Sequence, residues 1–343
     1  MSKNSFGLDI GTTTIKMVSL SAGKNGFVLD ASIISPMPAK GMASESPLDE
    51  EEMAQAIKKA VRDAGISSKF ANVSLPETLV YTKVIEMPAL SDKELSSAIY
   101  WEAEQYIPIP LSNITFVWSV LKRPEKATIA DKMEVLMVGA PTTVVNKYRK
   151  IVGMAGFTIN SMETQILSAI RAIVTGPEFP PSLLVDIGEI STTLAIVKNG
   201  VMIFTYTTPT GGGAISRAIA GAFGLSLKEA EEYKKTYGFA DRVFGGKISQ
   251  AAQPILMTIL TEVKKALSFY AQKYKDEPIR QILLSGGTAK LPGLNIFFAN
   301  NCGIETVIAT PWKRLASQTI PKPILDNGPE YTIAAGLAER DYE

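Results

Sequence analysis

Apolar and polar residues alternate in three short runs near the start of the chain, Ser5 to Ile10, Thr13 to Leu20 and Phe27 to Ser35, and this period of two predicts strands. Gly11 and the GKNG stretch at 23–26 supply turns, so the three runs predict a β-meander. The same plan returns at Leu183 to Ile187, Thr192 to Lys198 and Val201 to Thr207, with Asn199-Gly200 suited to a type I′ turn. Each meander precedes a stretch with helical spacing, Glu50 to Ala64 and Ala214 to Phe223, the second entered through TGGG at 210–213. A unit written twice predicts two similar domains facing each other across a cleft lined by the duplicated turns.

An extra stretch separates the two copies. It has a helix opening at Ser91, with Glu94 at capping-box spacing, and stopping before Pro108, then a strand pair and a helix near Thr143 to Gly153. In the second copy, helices at Leu227 to Thr236 and Gln250 to Tyr274 precede a strand running into a glycine-rich turn at 279–294, and a helix at Glu330 to Arg340 follows. The predicted division is therefore 1–81 plus 157–180 for the first domain, with 82–156 as an inserted α+β subdomain. The second domain is predicted at 181–224 plus 275–343, with 225–274 as its helical insertion.

Composition narrows the chemistry. With 343 residues, 46% hydrophobic and 20% charged, the chain suits a globular protein of about two domains. Thirty-five basic against thirty-four acidic residues leave no global field for nucleic acid or anionic lipid. The single cysteine, Cys302, excludes an internal disulfide, and the lack of histidine excludes His-dependent triads and the usual zinc sites. Carboxylates, lysines, hydroxyls and backbone amides must do the work. The start lacks an apolar signal core and no run approaches about 18 apolar residues, so a cytoplasmic protein without direct membrane insertion is expected.

The duplicated turns are GLDIGTTTIK, 7–16, and VDIGEISTTL, 185–194. Glycine after a strand-end aspartate lets backbone amides approach a phosphate, and nearby hydroxyls add donors: Gly11, Thr12, Thr13 and Thr14 in one turn, Gly188, Ser191 and Thr192 in the other. Phosphates would repel Asp9 and Asp186 unless a divalent cation lay between, which makes both aspartates candidate Mg2+ anchors. Lys16 is a candidate phosphate contact. Paired glycines in Ser285-Gly286-Gly287-Thr288 suit close approach to a purine or ribose, and Gly211, Gly212 and Gly213 precede a helix N-terminus that favours a phosphate or ribose. FGGKIS at 244–249 lacks the remaining features of a P-loop and reads as a loop. Tyr100, Trp101 and Tyr106 are either core aromatics or a partner surface.

Two phosphate hairpins, the glycine-rich adenosine turn and a helix after EYTIAAGLA together resemble the actin-like ATPase superfamily, across the whole chain. The resemblance implies an α/β fold: duplicated actin-like, ribonuclease H-like domains around a nucleotide cleft that takes ATP or ADP with Mg2+. It makes Glu163 to Arg171 and Ala334 to Ala338 the two connecting helices, Glu163 the candidate for orienting an attacking water, and Glu231 and Lys234 in AEEYK candidates beside the adenosine. The insert sequence VIEMPALSDKELSSAIYWEAEQYIPIPLSNITFVW, 84–118, closely resembles the PilM family of type IV pilus assembly. That implies a scaffold holding the N-terminal cytoplasmic tail of the inner-membrane protein PilN in a groove between first domain and insert. It also implies contacts with other pilus assembly proteins and a location at the inner membrane through partners. FtsA, of cell division, shares the subdomain arrangement but carries a C-terminal amphipathic helix, whereas this sequence closes on GLAERDYE, favouring PilM. A filament-forming protein and a small-molecule kinase of the same superfamily are the other readings, and self-association stays open.

Overall fold

A computed structural model describes residues 4–124, 131–240, 244–316 and 320–343. The first meander is β1 (Phe6–Ile10), β2 (Thr14–Gly23) and β3 (Gly26–Pro36), followed by α1 (Pro47–Asp63) and β4 (Phe70–Leu75). The insert follows as β5 (Tyr81–Pro88), α2 (Asp92–Tyr106), β6 (Ile114–Lys122) and β7 (Lys132–Pro141). Then come α3 (Thr142–Met154), β8 (Thr158–Thr164) and α4 (Gln165–Ile173). The second copy is β9 (Ser182–Ile187), β10 (Thr192–Lys198), β11 (Val201–Thr208), α5 (Gly212–Phe223), α6 (Leu227–Tyr237), α7 (Lys247–Lys273) and β12 (Gln281–Ser285). It ends with α8 (Leu294–Cys302), β13 (Glu305–Ile308), α9 (Lys322–Asp326) and α10 (Gly328–Glu339).

The duplication is reproduced strand for strand. One sheet runs β3-β2-β1-β4-β8 and the other β11-β10-β9-β12-β13, with the insert as a separate sheet β5-β7-β6. In both large sheets the central strand pairs antiparallel with the meander and parallel with the strand that follows the helices. The Asn199-Gly200 turn has positive φ at both residues, 52° and 77°, as a type I′ hairpin requires. The Ser91 side chain accepts from the Glu94 amide while the Glu94 side chain accepts from the Ser91 amide, so the expected capping box forms, and α2 ends two residues before Pro108. Ser226 and Glu229 make a second box at α6 that the sequence reading missed.

Alternation along the strands decides which face meets which layer. Phe6, Leu8 and Ile10 point to a core shared with α1 and α3, while Leu183, Val185 and Ile187 point to one shared with α5 and α7. The intervening residues, Gly7 and Asp9 on β1 and Leu184 and Asp186 on β9, face the opposite side, toward α4 and α10. Helix α3, expected to complete the insert, instead buries Val145, Tyr148, Ile151 and Val152 with α1 in the first domain, because its apolar stripe continues that core. FGGKIS is only partly loop: Gly245 and Gly246 take positive φ and Lys247 opens α7. Among the described residues no helix is long and apolar enough to cross a membrane.

Helices α4 and α10 lie between the two sheets and touch at backbone distance. A Cβ on Gly336 of α10 would stand 1.8 Å from the Ser168 carbonyl oxygen of α4, and one on Gly7 would stand 1.9 Å from the Ala334 oxygen. Glycine is required at both places by proximity. We predict that Gly336→Ala lowers unfolding free energy by about 1–3 kcal/mol through overpacking. By contrast Gly221→Ala, in α5 with nothing within 4 Å of its would-be Cβ, raises it by roughly 0.5–1 kcal/mol. Urea titrations of both variants check the opposite signs.

Glu339, 2% exposed at the end of α10, has its carboxyl pushed up to about 7 by burial, only partly offset by Arg314, which donates to it at 2.8 Å. Its folded value lies above the unfolded one, so the stability it contributes is complete below the unfolded pKa and is lost as pH rises through about 7. Thermal melts should therefore show the difference between Glu339→Gln and the parent moving in the variant's favour from pH 4.5 to 8, by at most about 3 kcal/mol.

Candidate functional site

Both DIG turns close the same way. The Gly11 amide donates to the Thr14 carbonyl at 3.0 Å and the Gly188 amide to the Ser191 carbonyl at 3.0 Å. Asp9 and Asp186 each end a central strand and each accept from a serine on the neighbouring parallel strand. Ser74 Oγ donates to Asp9 Oδ1 at 2.8 Å, and Ser285 Oγ donates to Asp186 Oδ1 at 2.6 Å. Lys16 lies opposite Asp9 in the β1–β2 register, and its Nζ stands 3.3 Å from Asp9 Oδ2.

The two aspartates lie near enough for their charges to interact. Desolvation is the main cause pushing the Asp186 carboxyl above the ordinary carboxylate range, and the Asp9 charge pushes it further, against the pull of Ser285 and Lys16. Glu77 lies near enough to feel Asp186, and burial raises its carboxyl too. Among the described residues no group of three or more His, Cys, Asp or Glu could hold a metal alone. Two facing carboxylates with one lysine suit a hydrated divalent cation that takes its other ligands from water and phosphate oxygens.

Three segments far apart in sequence meet at the second turn. A Cβ on Gly211 would stand 2.6 Å from the Gly188 oxygen, one on Gly286 would stand 2.6 Å from the Ile187 oxygen, and one on Gly212 would stand 2.2 Å from Thr288 Oγ1. Lys234 is buried, donates to the Gly212 carbonyl at 3.1 Å and pairs with Glu231 at 2.6 Å, and Ser216 Oγ donates to the same carboxylate at 2.5 Å. Glu231, Lys234, Gly212 and Thr288 therefore form one cluster. Gly287 is exposed at the turn, and Gly286 donates to the Pro329 carbonyl at 3.1 Å, fixing the turn to α10. Gly213 packs on Glu189, whose Oε1 would stand 2.3 Å from a Cβ there. Thr12 and Thr13 are exposed at the tip of the first turn, with Thr14 opening β2.

Two expected contacts need correction. Glu163, the candidate for orienting water, is bound by Arg171, whose Nη2 donates to Glu163 Oε2 at 2.7 Å, and by Ser168 Oγ at 2.7 Å. It lines a different space, a cavity of about 760 Å³ between α4 and the insert. Thr192 is wholly buried and its hydroxyl donates to the Thr210 carbonyl at 2.7 Å, tying the second turn to the glycine run instead of facing a ligand. Residues missed in the sequence are Ser74, Ser285 as an aspartate partner, Glu77 and Gln165. Gln165 Nε2 donates to Asp9 Oδ1 at 3.0 Å, at the first position of α4. Their only sequence signal is a polar residue at or just beyond a strand end, which is too common to single them out.

Trp101 is 74% exposed on α2, with Tyr100 and Tyr106 also exposed, so the aromatic cluster is surface and not core. This chain is 26% identical over 344 residues to the cell division protein FtsA of Streptococcus pneumoniae, a match covering 89% of this chain and 75% of that protein. Its fold matches a solved PilM-PilN type IV pilus biogenesis complex over 100% of both chains, at 25% identity and a TM-score of 0.87. MreB5 of Spiroplasma citri bound to ADP shares the fold at a TM-score of 0.50 and 12% identity, over 96% of this chain and 94% of that one. The family model described as "Type IV pilus assembly protein PilM" matches residues 7–342, and with its duplicated sheets and inserted third sheet the chain belongs to the PilM family.

Proposed function

We propose that this protein is a magnesium-dependent ATP- or ADP-binding scaffold of type IV pilus assembly that holds the N-terminal tail of a PilN-like inner-membrane protein. The observation that supports the nucleotide half is the matched pair of aspartate turns: two like charges come within electrostatic reach of each other from near the ends of two central strands. Asp9 and Asp186 hold the cation through its waters. Gly11, Thr12, Thr13, Gly188 and Ser191 border the phosphates, and Lys16 supplies a point charge. Gly211, Gly212, Gly286, Gly287 and Thr288 border the nucleoside, with Glu231 and Lys234 behind them. The MreB5 structure bound to ADP supports the same ligand class. The water-orienting role passes from Glu163 to Gln165, whose amide touches the cation anchor.

The tail takes the cavity of about 760 Å³ bounded by Trp118 and Leu121 of β6, Leu167 and Ile170 of α4 and the Asn199-Gly200 turn. Its lining mixes apolar side chains with charged ones, Arg340 and Glu343 half-exposed and Arg171 buried against Glu163, which suits an extended amphipathic peptide. The solved complex of PilM with PilN supports this partner.

Asp9→Ala should weaken ATP binding about tenfold or more in excess magnesium, yet not in EDTA, where only a repulsive charge has been removed. Fluorescent-nucleotide titration reads this, and full affinity in magnesium would show the site assignment to be wrong. Gly212→Ala drives a methyl into Thr288 and should cost at least tenfold in nucleotide affinity in either condition. A synthetic N-terminal peptide of a PilN-like protein should bind the parent saturably in calorimetry; no binding with or without ATP contradicts the scaffold reading.

A further inference from the structure

The insert belongs to the first domain by sequence, joined to it only where β4 leads to β5 and where β7 leads to α3. Its side contacts run both ways, and β6 and β7 touch α3 of the first domain. Strand β5 packs against β11 of the second domain, and a cavity of about 240 Å³ at their junction is lined by Lys83 and Tyr106 from one side and Thr205 and Thr207 from the other. Lys273, the last residue of α7, reaches over from the second domain to Glu86 Oε1 on β5. The other oxygen of Glu86 meets Lys132 Nζ of β7 at 3.3 Å, within the insert. The hydrogen bond from Lys273 is the largest cause holding the Glu86 carboxyl below its usual range, with Lys132 adding to it against desolvation, so the pair is ionised at neutral pH.

At the root of the insert, Glu77 makes a second connection. Its Oε1 accepts from the Ile166 amide in the first turn of α4 at 3.0 Å, and its Oε2 accepts from Thr82 Oγ1 on β5 at 3.0 Å. The residue before Ile166 is Gln165, which touches Asp9. The insert is thus tied at its root to the helix that leaves the cleft and along β5 to the opposite domain.

We propose, resting on the nucleotide-cleft reading above, that the Glu86–Lys273 pair is a latch that makes the insert follow the second domain when the angle between the two domains changes. The cavity of about 760 Å³ is walled by the insert, by α4 and by the β10–β11 turn of the second domain, so such a movement alters its shape. Nucleotide state in one cleft then regulates access to the other.

The two lysines on Glu86 provide the test, because both deletions remove one positive charge from one carboxylate and only Lys273 crosses between domains. In the full chain carrying Cys302→Ser, spin labels at Lys58→Cys on α1 and Lys93→Cys on α2, both exposed, report the distance from first domain to insert by electron double resonance. Magnesium-ATP should shift that distance in the parent, in Lys132→Ala and in Lys273→Arg. In Lys273→Ala the shift should fall by at least half and the nucleotide-free distribution should broaden, while nucleotide affinity changes no more than about fivefold, the range of a half-exposed ion pair. An unchanged shift and width in Lys273→Ala, equal effects of the two alanine variants, or saturable nucleotide binding without any shift in the parent would overturn the latch. If the parent binds no nucleotide, the cleft reading fails on its own, and the latch is judged by the nucleotide-free widths: broadening confined to Lys273→Ala upholds it, equal widths refute it.

Discussion

Asp9 and Asp186 lie within electrostatic reach of each other and their like charges repel, and much of the architecture around them holds that arrangement. Each ends the central strand of a five-stranded sheet and is pinned by a serine from the adjacent parallel strand. Neither can swing away without losing that bond. Lys16 offsets part of the repulsion from the first domain, but desolvation, with the Asp9 charge added, leaves the Asp186 carboxyl raised. A cation between them with phosphates attached would turn this cost into a binding contribution.

The sheets come close enough to share a ligand because the layer between them is thin at chosen points. Every residue of α10 except Glu330 is buried, and it meets β1 and α4 at glycines, where side chains would have forced the layers apart. The cleft glycines repeat the device: Gly211, Gly212 and Gly286 each leave room for a backbone or hydroxyl that a methyl would displace. Close packing around a hinge resists small deformations and favours discrete arrangements, which is the mechanical condition for domain angle to carry information to the insert.

The repeated meanders, the DIG turns and the capping box at Ser91 were legible because each is a local pattern whose chemistry survives in almost any surroundings. Glu163 was not, because its fate is set by Arg171 and Ser168 after α4 folds back, and an isolated carboxylate carries no sign of its partner. Thr192 read as a phosphate-facing hydroxyl, yet it is taken by the Thr210 carbonyl once β10 lies beside the glycine run. Gln165 escaped notice since an amide at a helix start usually has only a capping role. Helix α3 was misplaced because its apolar stripe indicates that it packs, not what it packs on.

The central claim is that magnesium joins the two halves through Asp9 and Asp186. Calorimetric titration of ATP into the unmodified chain, once in millimolar magnesium and once in EDTA, tests it most directly. The account predicts binding at least about tenfold tighter with the metal; equal affinity in the two conditions, or no binding in either, would contradict it.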